Sequence, residues 1–146
     1  MPGEEQLAQQ VVQHLLQADA AVNELLGISL VEAAPGRVAC RMTVADRHVN
    51  SQAVCHGGII FALADTALAY SSCTANRPAV TLAASVSFTR AARAGDTLTA
   101  AAQVETQGQR AAATTVRITN QRSELIALVQ ATSLRLDARI LPDASS

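Results

Sequence analysis

An apolar segment from Ile59 to Tyr70 constrains this chain more than any other feature, because its only charged residue is Asp65. Good helix formers occupy every face of the segment and no proline interrupts it, so it predicts a helix that is buried on all sides. A carboxylate in such a helix is costly unless it is paired, neutralised or used, and no neighbouring Arg or Lys in the sequence offers to pair with it. Asp65 is therefore the first candidate functional residue.

Two glycines, Gly57 and Gly58, stand at the predicted start of this helix. The first amides of a helix have no intrahelical partner, and the helix dipole favours negative charge beside them. The helix start is thus a candidate oxyanion site. The plainer explanation is that two residues without side chains let the helix pack tightly against a sheet.

The composition restricts the class of protein. A chain of 146 residues with 49% hydrophobic residues is expected to form one domain with a sizeable core. Aromatic residues make up only 2%, so closely approaching elements and oligomer contacts are favoured over a core built on large side chains. The net charge of −1 gives no reason to expect nucleic acid or a membrane as a partner. All 11 basic residues are Arg, which can hold phosphates bidentately, although compositional bias is the plainer explanation.

The cysteines and the termini indicate a cytoplasmic protein. Cys40, Cys55 and Cys73 are odd in number and widely spaced, which argues against a disulfide framework. The N-terminus lacks the basic and apolar segments of a signal peptide. The longest apolar run is short for a membrane span.

The order of elements predicts an α+β fold, an antiparallel sheet wrapped around the central helix. Residues 1–146 are expected to form a single domain, with an N-terminal helix in residues 1–26 and a polar, frayed tail in residues 137–146. Helical spacing of apolar residues covers roughly residues 4–25, Gly27 ends that helix, and Arg77-Pro78 closes the central one. The predicted strands are 28–34, 37–44, 80–90, 97–107, 112–120 and 125–136. The strands that follow the central helix can form a meander, because their connections are short. In the strand 80–90, Val80, Leu82, Ala84, Val86 and Phe88 are expected on one face and Thr81 and Ala83 on the other.

The spacing of His56 and Asp65 predicts a dimer. Nine positions at about 100° each set the two residues on roughly opposite sides of the helix and about 13 Å apart along its axis. One helix therefore cannot bring both to the same atom. If the helix-start amides and Asp65 act together, they must come from two chains whose central helices pack antiparallel, which gives a symmetric dimer with two shared sites.

The motif His56-Gly57-Gly58, followed by Phe61, Leu63-Ala64-Asp65, Ala67 and later Gly95-Asp96-Thr97-Leu98, resembles the hotdog-fold acyl-CoA thioesterases. Within them, it resembles the phenylacetate-degradation branch. The resemblance implies hydrolysis of an acyl-CoA ester to a carboxylic acid and free coenzyme A in a homodimer, paired again into a homotetramer. Aryl- or phenylacetyl-type and medium-chain acyl groups are the implied substrates, and no metal or cofactor is needed besides the coenzyme A of the substrate.

The resemblance also implies roles for individual residues. Asp65 matches the catalytic carboxylate, acting as general base or nucleophile, and Gly57 matches the amide that polarises the thioester carbonyl. His56 lies beside that amide, and Asn50 matches a polar contact from the facing chain. The implied substrate contacts are Gly58, Thr81, which offers a hydroxyl to the water, Ala83, Arg90, Arg93, Gln107, Gly108, Gln109 and Arg110, the arginines being phosphate partners.

Several alternatives remain open at this point. Asp65 can be a polar residue hydrogen-bonded at a helix contact, and His56 a mere helix-entry residue. Cys55 next to His56 suggests a thiolate nucleophile, and with His48 a zinc site, but the spacing of neither is typical. On the same fold, the chain can be a non-catalytic acyl-CoA binding module or a dehydratase. Release of free thiol separates these functions, because only hydrolysis produces it.

Overall fold

The computed structural model describes residues 2–143, in which one antiparallel sheet packs against a central helix. The helices and strands are α1 (Glu4–Ala18), α2 (Ala20–Leu26), β1 (Ile28–Ala34), β2 (Arg37–Thr43), α3 (Gly57–Ser72), β3 (Ala79–Phe88), β4 (Thr97–Gln107), β5 (Ala111–Thr119) and β6 (Leu125–Arg135). The strand order is β1-β2-β4-β5-β6-β3. The α+β class and the sheet around a central helix are confirmed.

Strands β4, β5 and β6 form the expected meander. Strand β3 comes just before β4 in the chain but is not its neighbour in the sheet. It pairs instead with the far side of β6, with Phe88 opposite Ala127. The connection from β3 to β4 must therefore pass the end of the sheet. On its way the Ala92 carbonyl accepts a hydrogen bond of 2.7 Å from the Cys55 amide, which holds this connection beside the start of α3.

The central helix is covered on most but not all of its surface. Its buried residues Ile60, Leu63, Ala67 and Leu68 join a core formed with β2, β4, β5 and β6. Gly58, Ala62, Asp65 and Ala69, at spacings of four, three and four, remain exposed or half-buried. The expectation of burial on all sides is thus wrong for the single chain, since an apolar pattern does not tell whether a helix face is covered by its own sheet or by a second copy.

The predicted N-terminal helix is two helices that meet at Asp19. The Asp19 carboxylate accepts a hydrogen bond of 2.9 Å from the Tyr70 hydroxyl, which in turn accepts one of 3.0 Å from Asn23 Nδ2. These contacts tie the junction of α1 and α2 to α3 and explain the break. Gly27 ends α2 in the left-handed region, with φ of 77°, as expected.

The end of helix α3 and the C-terminal tail of the chain also differ from expectation. Helix α3 ends at Ser72 rather than at Arg77, because the Ser71 and Ser72 hydroxyls both donate to the Leu68 carbonyl, at 2.8 and 2.9 Å. The tail is not frayed at Leu141, whose amide donates to Asn76 Oδ1 at 2.7 Å and whose carbonyl accepts from Asn76 Nδ2 at 3.1 Å. The end of the predicted tail, residues 144–146, lies outside the described residues, as does residue 1.

Strand β3 forms one edge of the sheet, and β1 forms the other. A bulge at Leu82 shifts the register of β3 on β6, so that Thr81 pairs with Ser133 but Ala83 with Thr132. Directly paired residues share a face, so Thr81 lies on the α3 face and Ala83 on the outer face, and the predicted regular alternation is wrong. Three large apolar side chains of β3 are exposed to solvent, Val80 by 44%, Leu82 by 60% and Phe88 by 54%.

Candidate functional site

A cleft of about 390 Å³ opens at the start of α3. It lies between the loop that precedes α3 and the connection that follows β3. Its lining residues are Asn50, Val54, Cys55, Gly57, Ile60, Phe88, Thr89, Arg90, Ala91 and Ala92. The structure therefore brings together three of the predicted site residues, Asn50, Gly57 and Arg90.

The loop before α3 is held in shape by its own backbone and by Asn50. Val49 and Cys55 form an isolated antiparallel bridge, and the His56 amide donates to the His48 carbonyl at 2.8 Å. Asn50 Oδ1 accepts from the amides of Gln52 and Val54, at 2.9 and 3.3 Å. The Nδ2 atom of Asn50 has no acceptor among residues 2–143, so this donor is free to bind a ligand in the cleft.

Gly57 is the first residue of α3, and its amide donates no hydrogen bond within the described part of the chain. This unpaired N–H is the helix-start donor that the sequence predicts. A Cβ atom at Gly57 would lie 3.1 Å from Cζ of the Phe88 ring. Glycine thus lets the ring of Phe88 lie directly against the backbone that carries the donor.

The His56 side chain caps α3. Its Nδ1 atom accepts a hydrogen bond of 3.0 Å from the Gly58 amide, so the neutral imidazole carries its proton on Nε2. The Gly58 amide is consequently occupied and does not act as a second oxyanion donor. His56 is therefore a helix-entry residue whose exposed Nε2–H can also meet a ligand.

Asp65 lies two turns further along α3, on the open stripe with Gly58, Ala62 and Ala69. Among residues 2–143 its carboxylate has no hydrogen bond or ion pair, which contradicts its interpretation as a hydrogen-bonded helix contact within the chain. Burial raises the pKa of its carboxyl above the ordinary value. Asp65 does not line the cleft at Gly57, so one chain does not assemble the two groups.

The predicted substrate contacts fall in separate places. Arg90 forms an ion pair of 3.2 Å with Glu124, and the backbone amide of Arg93 donates to Asp96 Oδ2 at 2.9 Å in the turn that follows. Thr81 and Ala83 lie on opposite faces of β3. The hairpin between β4 and β5, with Gln107, Gly108, Gln109 and Arg110, lies at the other end of the sheet.

Two arginines near that hairpin were not singled out from the sequence. Arg77 and Arg135 line a cleft together with Gln109 and Arg110. Arg135 continues the row of inward-facing residues Val129, Ala131 and Ser133 on β6. A cation at a position where the alternation of β6 predicts a core residue was the signal that could have identified it.

The alternatives built on Cys55 find no support. Burial raises the pKa of the Cys55 thiol to about 11, which keeps it protonated at neutral pH. Within the described residues no group of three or more His, Cys, Asp and Glu side chains is arranged to hold a metal ion, and Nδ1 of His48 is engaged by the Ala45 amide at 2.9 Å. None of the helices in residues 2–143 is long and apolar enough to cross a membrane.

Comparison with known proteins relates this arrangement to one family. The family model described as Thioesterase superfamily matches residues 52–127. Acyl-coenzyme A thioesterase PaaI of Escherichia coli is 37% identical over 131 residues, which cover 90% of this chain and 94% of that protein.

Solved structures agree with the sequence comparison. The structure of the E. coli PaaI protein from the phenylacetic acid degradation operon matches with a TM-score of 0.89 and 35% identity, covering 94% of this chain and 99% of that one. A Streptococcus mutans protein bound to acetyl CoA matches with a TM-score of 0.74 and 28% identity, over 77% of this chain and 90% of its own. The resemblance noted from the motifs is thereby confirmed. The chain belongs to the thioesterase superfamily and is a thioester hydrolase of the hotdog fold.

Proposed function

We propose that the protein is an acyl-CoA thioesterase that hydrolyses an aryl- or phenylacetyl-type or medium-chain acyl-CoA to a carboxylic acid and coenzyme A. The observation that carries this proposal is the pair of unpaired groups on α3, the Gly57 amide at its start and the Asp65 carboxylate on its open face. A module that only binds its ligand has no use for an unpaired carboxylate in a half-buried position. The E. coli relative, named as an acyl-CoA thioesterase, and the S. mutans neighbour bound to acetyl CoA support the substrate class.

In the proposed reaction the thioester carbonyl accepts a hydrogen bond from the Gly57 amide. Attack places negative charge on that oxygen, so a preorganised donor stabilises the transition state more than the ground state. Asp65 either takes a proton from the attacking water, or attacks the carbonyl carbon itself and forms a mixed anhydride that a water molecule then hydrolyses to the carboxylic acid. In either route the carbon–sulfur bond breaks and the leaving thiolate takes up a proton from water, while the Nε2–H of His56 is a candidate hydrogen-bond donor that stabilises the thiolate.

Asp65 reaches the Gly57 cleft only if two chains combine. We expect the exposed β3 edges of two copies to pair antiparallel and the open stripes of their α3 helices to face each other. Unpaired edge strands with apolar side chains rarely remain free. Each dimer then has two sites, each with Asn50 and Gly57 at one helix start and Asp65 from the opposite helix.

The assembly, the metabolic role and the location of the protein are also part of the proposal. Exposed alanines on the outer face of the sheet, such as Ala101 and Ala113, would permit dimers to pair into a homotetramer. The E. coli PaaI protein comes from the phenylacetic acid degradation operon, which supports a role in phenylacetate degradation. The three cysteines are free and buried, which suits the cytoplasm, and the reaction needs no cofactor besides the coenzyme A of its substrate.

The decisive experiment is thiol release from phenylacetyl-, hydroxyphenylacetyl-, benzoyl- and straight-chain acyl-CoA esters. The wild type is expected to hydrolyse one class, and Asp65→Asn to lose at least about 100-fold in kcat with similar binding. Asp46→Asn, an exposed carboxylate in the turn before the site loop, is the matched control. Binding of these esters without any thiol release by the wild type would identify a binding module instead.

The shared site has its own test. Asp65→Ala chains mixed with chains disabled at Gly57 are expected to regain activity, because each heterodimer can hold one intact site. Failure of the mixture to recover activity, when subunit exchange is verified, would contradict a site built from two chains.

A further inference from the structure

The turn that leads into the site loop contains a buried histidine that the proposed reaction does not use. His48 ends a single turn of 3₁₀ helix, Asp46–His48, and is only 3% exposed. Buried polar side chains are normally hydrogen-bonded, because an unpaired polar group loses its water without compensation. An apolar residue is therefore expected at this position unless a ring nitrogen of His48 is needed.

The two ring nitrogens of His48 have different surroundings. Nδ1 accepts a hydrogen bond of 2.9 Å from the Ala45 amide, so the neutral ring carries its proton on Nε2. Nε2 is buried and has no hydrogen-bond partner among residues 2–143. Burial and the charge of Arg47 lower the pKa of His48, and the backbone of Leu26 opposes them without a hydrogen bond to the ring. The unpaired Nε2–H is unfavourable, which indicates that the ring is retained for its acceptor, Nδ1.

The donor to this ring, the Ala45 amide, belongs to a segment that is fixed to the sheet. The Val44 amide donates to the Asp96 carbonyl and the Gly95 amide donates to the Val44 carbonyl, both at 2.8 Å. Val44 is itself part of the buried core. The imidazole of His48 therefore braces the turn against the end of the sheet.

The backbone of His48 extends this constraint to the helix start. Its carbonyl accepts a hydrogen bond of 2.8 Å from the amide of His56, the N-cap residue directly before Gly57. Asn50, whose Nδ2 atom is free to bind a ligand, follows two positions after His48 in the same loop. One buried ring thus holds the backbone on which both groups of the cleft depend.

We propose that His48 is a positioning residue, whose imidazole fixes the backbone that directs the Gly57 amide at the thioester carbonyl. This inference rests on the proposed function for the role of that amide. The ring of His48 does not contact the substrate itself, because it is buried and lies outside the lining of the cleft. An oxyanion donor is effective only when its N–H points at the developing charge, and a displacement of about 1 Å can lower the rate about 100-fold.

The hydrogen bond to Nδ1 can be tested in the wild type by nitrogen-15 NMR of the histidine rings. The resonances of His48 are identified by their absence in His48→Gln. We expect Nδ1 of His48 to be unprotonated at neutral pH and Nε2 to carry the proton. A proton on Nδ1 would overturn the proposal, since that nitrogen could not accept a hydrogen bond from the Ala45 amide.

His48→Leu and His48→Gln form a matched pair of variants. Leucine fills the site without an acceptor, whereas a glutamine at the third position of a helical turn reaches back to the amide before the turn. His48→Leu should lose about 30-fold in kcat with less than about threefold change in KM, and His48→Gln should regain most of that loss. Full activity of His48→Leu, or an equal loss in both variants, would overturn the proposal.

The Tm separates positioning from a structural role. His48→Leu loses one hydrogen bond but also removes the unpaired Nε2–H, so its Tm should stay within about 3 °C of the wild type. Ile118→Val, in the core of β5, is the control for destabilisation and should lower the Tm while leaving kcat unchanged. Unfolding of His48→Leu, or a loss of kcat in Ile118→Val as large as in His48→Leu, would assign His48 a structural role and overturn the proposal.

Hydrogen exchange keeps this inference apart from the proposed hydrolysis. The His56 amide should exchange at least about tenfold faster in His48→Leu than in the wild type and His48→Gln, while the Val116 amide in β5 should be unaffected. If exchange responds in this way but no thioester is hydrolysed, the hydrolytic proposal fails and the bracing of the helix start by His48 stands. If thioesters are hydrolysed and the exchange of the His56 amide is unchanged, the inference about His48 fails alone.

Discussion

The Gly58 amide donates to Nδ1 of the His56 imidazole, and a Cβ atom at Gly58 would lie 3.2 Å from that same nitrogen. The ring thus lies as close to the helix start as a residue without a side chain permits. One contact couples the cap of α3 to the orientation of the Nε2–H group at the mouth of the cleft.

Gly58→Ala should displace the imidazole and lower kcat about tenfold, because the added methyl group crowds Nδ1 while the fold is retained. The measurement is thiol release together with the Tm. Gly3→Ala is the matched control, since nothing lies within 4 Å of a Cβ atom there. Equal activity of both variants would mean that the position of the ring is unimportant.

His56→Asn separates capping from chemistry. Asparagine is among the best N-cap residues, so the Tm should stay within about 2 °C of the wild type, while loss of the Nε2–H should reduce kcat about 100-fold. His56→Ala should lose both activity and about 1 kcal/mol of stability. Full activity of His56→Asn would show that the imidazole serves only as a cap.

Gly57→Ala should reduce kcat/KM about 100-fold, because its methyl group meets the Phe88 ring at 3.1 Å and shifts the oxyanion donor. The double variant Gly57→Ala with Phe88→Leu removes the obstructing ring and should regain part of the loss. A double-mutant cycle measures the coupling. Additive losses would mean that the ring and the donor are independent.

The activity should depend on the ionisation of Asp65. Burial raises its pKa, and only the carboxylate can act as base or nucleophile, so kcat should fall as the pH decreases through a value above the ordinary Asp pKa. A pH profile of kcat checks this. An acid limb that persists unchanged in the residual activity of Asp65→Asn would assign it to another group.

The effect of Asp65 ionisation on stability should be opposite to its effect on activity, because the ionised carboxylate is needed for catalysis but destabilises the fold. A folded-state pKa above the unfolded value means that the ionised Asp65 destabilises the fold at neutral pH, and the penalty disappears as the pH falls below the ordinary Asp pKa. Asp65→Asn should therefore be more stable than the wild type by about 1 kcal/mol at pH 7 and equally stable in acid. Denaturant titrations at both pH values measure the difference.

Leu82→Arg should separate the dimer and abolish activity. Leu82 is 60% exposed on the edge strand β3, and a charge there would be buried between two paired edges. Sedimentation velocity should show a smaller species for Leu82→Arg only, and not for Gln10→Arg on the exposed face of α1. An active monomer of Leu82→Arg would rule out the shared site.

Local patterns in the sequence were sufficient for the fold class and for most element boundaries, because α3 is a continuous apolar run of good helix formers and strands β4 to β6 follow alternating periodicity. The break at Asp19 was not predictable, since its hydroxyl partner Tyr70 is 51 positions away in sequence. The bulge at Leu82 and the place of β3 beyond β6 also depend on pairing between distant segments.

The candidate site was predictable where it rests on local geometry. The glycines and the carboxylate of α3 follow from their positions in one helix, and the unpaired state of Asp65 agrees with its predicted isolation. Arg77 and Arg135 meet only after residues distant in sequence are folded together, so no spacing indicates them. The split of Thr81 and Ala83 between two faces likewise depends on a single bulge.

The contact of Tyr70 with Asp19 and Asn23 gives the protein an intrinsic optical reporter. The chain contains one tyrosine and no tryptophan, so its near-ultraviolet dichroism and fluorescence arise almost entirely from this phenol. The Asp19 carboxylate accepts a hydrogen bond from this phenol, which quenches its fluorescence and fixes the orientation of the ring. Detachment of the α1–α2 junction from α3 would therefore be visible in the spectrum of the unlabelled protein.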